Sequence, residues 1–128
     1  MKDETAEFLA KANEFLAKAA HALGGGWADE AGRAAYLAGL HAAQALVFER
    51  SGSVVKRHRG VQNALYRLTK DDPGFDPELR AFLGRAYNLR EIADYMTGPG
   101  AEISGERAQD AIATARRLVA TIGGLLGS

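Results

Sequence analysis

The 128 residues contain no cysteine, which excludes disulfides, thiolate metal sites and cysteine nucleophiles. Histidine is scarce, with three residues at positions 21, 41 and 58. None of them is close enough to another in sequence to form a zinc-ligand pair. A long apolar run is missing too. The stretch from Ala34 to Phe48 is free of formal charge but contains His41 and Gln44, and it falls short of the roughly 20 apolar residues that span a bilayer. The opening Met-Lys-Asp-Glu-Thr starts a soluble helix and has none of the features of a signal sequence. No segment alternates polar and apolar residues as a half-buried strand would. What remains is an ordinary globular balance, 47% hydrophobic and 25% charged, which suits one domain over residues 1–128 with a core over roughly residues 5–122. The expected location is cytoplasmic.

Net charge is also absent, but its zero sum hides a pattern. Residues 1–49 carry four basic and seven acidic side chains, and residues 71–128 carry six and nine. Between them, residues 50–70 hold Arg50, Lys56, Arg57, Arg59, Arg67 and Lys70 and no acid. A neutral chain with one basic segment is suited to meeting an anion locally. Two readings of the segment stand at this point: an anion-binding surface centred on Lys56, Arg57 and Arg59, or a solvated turn and helix face.

The apolar periodicity predicts helices throughout. Residues 3–23 repeat Glu-Phe-Leu-Ala-Lys-Ala at positions 7 and 14, with Leu9, Ala12, Leu16, Ala19 and Leu23 on one seam. Gly24-Gly25-Gly26 ends that helix. Residues 28–50 carry a ridge of Ala31, Ala35, Ala38, Ala42 and Ala45 opposite Tyr36, Leu37, Leu40, Val47 and Phe48. A helix apolar on most sides is central, and small residues admit a close neighbour. His41 reads as a core or interface histidine with one hydrogen bond. After a loop at residues 51–60, a short helix over 61–69 turns Val61, Ala64, Leu65 and Leu68 inward. Asp76-Pro-Glu opens the fourth helix with an N-cap and a first-turn proline, and that helix runs to Thr97-Gly-Pro-Gly100. The last helix starts near Ser104 and buries Ala108, Ala111, Ile112, Ala115, Leu118, Val119 and Ile122. The expected fold is all-α, an antiparallel up-and-down bundle of four long helices plus one short helix.

The fourth helix holds the residue that fits this pattern least. Leu79, Phe82, Leu83, Ala86, Leu89, Ala93 and Met96 form its expected apolar stripe, and Arg90 falls inside it. Asp94 lies one turn on and is the local partner. An arginine where leucine would be cheaper marks either a structural ion pair or a site.

The order of Leu40-His-Ala-Ala43, Lys56-Arg-His-Arg-Gly-Val61, Leu89-Arg-Glu-Ile-Ala-Asp-Tyr95 and an alanine-rich last helix resembles the HEPN family, in particular its small stand-alone prokaryotic members. The resemblance covers roughly residues 5–122. It implies a helical bundle that forms a homodimer and acts on RNA or binds a nucleotide. In active members it implies an Arg-x4–6-His motif that cuts RNA without metal or cofactor, with the two copies meeting across the dimer. It also implies a neighbouring nucleotidyltransferase-type antitoxin as partner. By position Arg90 is the motif arginine, but the residue five further on is Tyr95 where the motif has histidine. A phenol is a poor general base at neutral pH. His58, in the basic segment, is then the candidate base, with Arg90 stabilising charge on the phosphorus centre and Asp94 aiming it. His58 also reads as a loop residue that caps the short helix or faces solvent. Tyr95 reads either as a stacking platform for a base or as a dimer-seam residue, and Tyr87 as packing. The candidate catalytic set is Arg90, Asp94, Tyr95 and His58. Three functions are carried forward: a toxin-type metal-independent endoribonuclease, a non-catalytic dimeric module that binds nucleotide, RNA or a partner, and a purely structural helical adaptor.

Overall fold

A computed structural model describes residues 1–98 and 102–127. It contains α1 (Asp3–Gly24), α2 (Ala28–Ser51), α3 (His58–Thr69), α4 (Pro77–Tyr95) and α5 (Gly105–Leu125), and no strand among the described residues. The all-α bundle of four long helices and one short one is as the periodicity predicts. The last two residues of the expected break after α4, Pro99 and Gly100, lie outside the described residues.

The local stop and start signals act as their chemistry requires. The Asp76 carboxylate accepts from the Glu78 amide at 2.9 Å, and Pro77 follows it as the first helical residue. The Ser104 hydroxyl accepts from the Arg107 amide at 3.0 Å and caps α5. Each satisfies an amide that the helix itself cannot. In the triglycine it is Gly26, with φ of +83°, that takes the left-handed turn.

α2 is the hub. It packs against each of the other four helices, and its alanine ridge, from Ala31 to Ala45, is fully buried. Two glycines on this helix set how close α4 can come. A Cβ at Gly39 would stand 2.6 Å from the Phe82 ring, and one at Gly32 would stand 3.2 Å from Ile103 and 3.6 Å from Leu89. Gly32 and Gly39 are seven residues apart, as are Phe82 and Leu89, so the helices run antiparallel in a fixed register. That register brings Arg33 and Tyr36 of α2 beside Asp94, Arg90 and Tyr87 of α4.

Several sequence-based expectations change here. The short helix begins at His58, three residues before the expected start, so His58 opens a helix and is not a loop residue. Leu68, expected to face inward, is exposed on the outer side of that helix. The buried face of α4 is Leu79, Phe82, Leu83, Ala86, Leu89 and Ile92. Steps of three residues after Leu83 rotate that face away from Arg90, whose side chain is 38% exposed at the rim. Met96 is exposed. Finally, the circumference of α2 is covered within one chain by its four neighbours, so its apolar surface no longer argues for a second copy.

Candidate functional site

The α2–α4 register creates a charge cluster that helix spacing alone does not show. Arg33 donates from Nε to Asp94 Oδ1 at 2.8 Å, while Arg90 Nε lies 3.5 Å from Asp94 Oδ2. Asp94 is therefore the partner expected for Arg90, but its shorter contact is with Arg33. Two guanidiniums share one carboxylate, and the neighbouring Glu91 carboxylate is engaged by the Tyr87 hydroxyl. Both arginine side chains keep about a third of their surface exposed, 35% and 38%, so donor groups remain available at the rim.

Beside this cluster stands an aromatic one. The hydroxyl of Tyr36, a fully buried residue, lies 2.7 Å from His58 Nδ1. The His58 ring stacks on Tyr87 with centroids 4.2 Å apart and an interplanar angle of 25°. Tyr36 meets Tyr87 edge-on at 5.9 Å. Burial pushes the Tyr36 phenol up to about 12, against the opposing charge and hydrogen bonding of Arg90. The phenol therefore stays protonated and shares one hydrogen bond with Nδ1, in which the donor is set by the His58 tautomer. Burial holds the His58 imidazolium form down, and the charges of Arg59 and Arg90 add to that, while a hydrogen bond with Gln62 pulls the other way. At neutral pH the lowered His58 is an uncharged imidazole whose Nδ1 is engaged by the Tyr36 hydroxyl. The ring is held from both sides, by Tyr36 and by Gln62. To act as a base through Nδ1 it would have to give up the Tyr36 hydrogen bond.

The structure thus brings together Arg90, Asp94 and His58 from the expected set. Tyr95, the last residue of α4, is 71% exposed and outside the aromatic cluster. Lys56 and Arg57 stand exposed just ahead of α3, and Arg59 is exposed in its first turn. None of the three makes an ion pair among the described residues. Sequence reasoning missed Arg33 and counted Tyr36 as core. A signal for the first was present: between Glu30 and Glu49, Arg33 is the single charged residue of α2, and it precedes Tyr36 by three positions on one face.

His41 supplies a contrast. Its Nδ1 lies 2.8 Å from the Gln44 amide oxygen and its ring stacks on Phe15 at 5.4 Å. Burial lowers its basicity as well, outweighing the Gln44 hydrogen bond. For both histidines the folded value lies below the 6.5 of the free side chain. Below that pH the unfolded chain binds protons that the folded chain does not, so this part of the stability is complete above 6.5 and declines as pH falls toward the folded values. Melting followed by circular dichroism should show Tm falling between about pH 7 and pH 5.5, with the slope reduced in His41→Gln and reduced further in His41→Gln with His58→Gln. The carboxylates of Glu49 and Asp76 are held below their usual 4.5 and 3.8, chiefly by hydrogen bonds from the Lys2 and Glu78 amides, and they titrate in a lower window. An unchanged slope in the double variant would refute the assignment.

A family model for the HEPN domain matches residues 5–125, which takes in all of α2, α3 and α4 and so both clusters. The chain belongs to the HEPN domain family. No curated protein matches it. Among the described residues no helix is long and apolar enough to cross a membrane.

Proposed function

We propose that this protein binds RNA or a nucleotide through phosphate at the Arg33–Arg90 pair, as a homodimer and as the toxin-type half of a two-gene module with a nucleotidyltransferase-type antitoxin. The observation that carries the reading is the shared carboxylate. Asp94 pairs with both guanidiniums and orients them at a rim open to ligand. Lys56, Arg57 and Arg59 extend that field toward the start of α3 and would draw in a polyanion.

A second reading, metal-independent cleavage of RNA, draws on the uncharged His58 imidazole lying in the field of Arg90. In that reading Arg90 stabilises the phosphorane and His58 handles the proton after release from Tyr36. The occupied Nδ1 and the exposed phenol of Tyr95 favour binding over cleavage.

The test is RNA binding followed across a salt series. Wild type is expected to bind with a steep salt dependence, and reversing Lys56, Arg57 and Arg59 to Glu should weaken binding and flatten the slope. Light scattering on the same preparation should give twice 13.6 kDa. If wild type holds no RNA or nucleotide at low salt, the basic segment is a solvated face and the structural adaptor stands. Strand scission in the presence of a chelator, lost in His58→Ala, would move the conclusion to the cleavage reading.

A further inference from the structure

The outer face of α3 carries a pattern that the Arg90 cluster does not use. Arg59, Gln62, Asn63 and Tyr66 are spaced at i, i+3, i+4 and i+7 and fall on one face, opposite the buried Val61, Ala64 and Leu65. With Arg80 of α4 they line an open groove of about 500 Å3. Every lining residue is polar or aromatic and none is acidic. Tyr66 is 56% exposed, a large share for an aromatic residue. Arg80 is not a loose surface arginine, because its Nη1 donates to the carbonyls of Thr69 at 3.0 Å and Phe75 at 3.1 Å. That anchorage fixes its guanidinium plane before any ligand arrives. Gln62 lies across Gly84 of α4, where a Cβ would meet its amide nitrogen at 2.6 Å. Its hydrogen bond to His58 joins the groove to the aromatic cluster.

We propose that this groove is a nucleotide subsite for single-stranded RNA, in which an unpaired base stacks on Tyr66 and presents its edge to Asn63 and Gln62. Arg59 and Arg80 flank it for the backbone. The proposal rests on the phosphate reading of the Arg90 cluster and extends it, since His58 stands between the two and feels the charges of both Arg59 and Arg90. The chemistry selects this ligand. Side-chain amides donate and accept within one group, as base edges require. An exposed ring offers a stacking face of the kind that single-stranded nucleic-acid sites use. A duplex keeps its bases stacked inside and cannot use either.

The experiment compares binding of a short single-stranded oligoribonucleotide with that of pyrophosphate, for wild type, Tyr66→Ala, Tyr66→Trp and Arg90→Ala. Tyr66→Ala is expected to weaken oligonucleotide binding by roughly tenfold while leaving pyrophosphate binding unchanged, and Tyr66→Trp should retain wild-type binding. The exposure of Tyr66 keeps the fold out of the comparison, and unchanged melting curves verify this. If Tyr66→Ala binds as wild type does while Arg90→Ala loses binding, the subsite is overturned and the phosphate reading stands. If Tyr66→Ala loses binding and Arg90→Ala does not, the subsite stands and the phosphate reading falls. If wild type binds the duplex as tightly as the single strand, or if polyglutamate displaces the oligonucleotide from wild type and Tyr66→Ala alike, the face takes another polyanion and the subsite is overturned.

Discussion

Arg90→Ala should lose most RNA or nucleotide binding and keep its fold. The second half of that expectation comes from Asp94. A buried carboxylate stripped of its one partner costs several kcal/mol, but here the 2.8 Å contact with Arg33 survives the substitution. Arg90 itself is 38% exposed and its contact with Asp94 is the longer, at 3.5 Å. A partly solvated pair of this kind is worth about 0.5 kcal/mol, and the hydrogen bond to the Tyr36 hydroxyl adds roughly 1 kcal/mol, so the melting temperature should fall only modestly. The binding loss is of another order. A charge-assisted contact with phosphate contributes roughly 1.5–3 kcal/mol, or about 10- to 150-fold in affinity. Arg90→Lys separates geometry from charge, because it keeps the charge and loses the planar fork, and it should recover only part of the binding. Titration with a labelled oligoribonucleotide, alongside thermal melting, gives both quantities. An Arg90→Ala protein with wild-type affinity and wild-type effect on expressing cells would end the site reading. One that no longer folds would show that the cluster is structural.

Gly39→Leu is expected to produce the largest loss of stability. The space that its side chain needs is held by the edge of the Phe82 ring, with Leu118 at 3.3 Å behind it. Phe82 is 5% exposed and Leu118 is fully buried, so neither can swing into solvent. Replacing glycine in a helix gains about 1 kcal/mol of propensity. Overpacking a filled core costs typically about 1–3 kcal/mol and occasionally more, and a whole isobutyl group forced into this contact puts the substitution at or beyond the top of that range. Part of the strain can be released by moving α4 outward, which would also pull Asp94 away from Arg33. Oligonucleotide affinity should therefore fall together with Tm. Phe82→Ala in the same chain should restore part of both. A Gly39→Leu protein as stable as wild type would mean that the α2–α4 approach is looser than the contact implies.

These two positions also show how far the sequence could be read. The pairing of Asp94 with Arg90 is local, one helical turn, and spacing alone shows it. The pairing of Asp94 with Arg33 spans 61 residues and depends on the α2–α4 register. That register follows from Gly32 and Gly39 meeting Leu89 and Phe82, a packing fact that no single helix contains. Helix existence was legible throughout, because caps such as Asp76 and Ser104 and the alanine ridge of α2 are sequence-local. The start of α3 is less legible for a related reason. Gly60 lies within α3, where a Cβ would stand 2.9 Å from Val55 Cγ1, and that close approach across the loop is not visible from the sequence, so a helix begun at residue 61 leaves His58 outside it. Tyr36 is core, but its hydroxyl needs a partner, and the partner is His58, which helix spacing on α2 alone does not reveal. The rim position of Arg90 was hidden as well, because a strict stripe ignores the rotation of the buried face from Leu83 to Ile92.

The hub arrangement gives the site one stiff wall and one soft one. Among the described residues α2 buries 14 residues and touches four helices, whereas α3 buries four residues, spans 12 and touches only α2 and α4. A helix that short does not persist alone in water and is held by its docking. Arg33 is thus mounted on the stiff side, while His58, Gln62 and Tyr66 ride on the short helix that only docking holds in place. A ligand gripping both sides adds to the docking energy of α3, and the same linkage makes α3 docking a component of the ligand's affinity. Substitutions on the buried side of α3, at Val61 or Leu65, would then act on binding without touching the ligand, by changing how often the soft wall is in place.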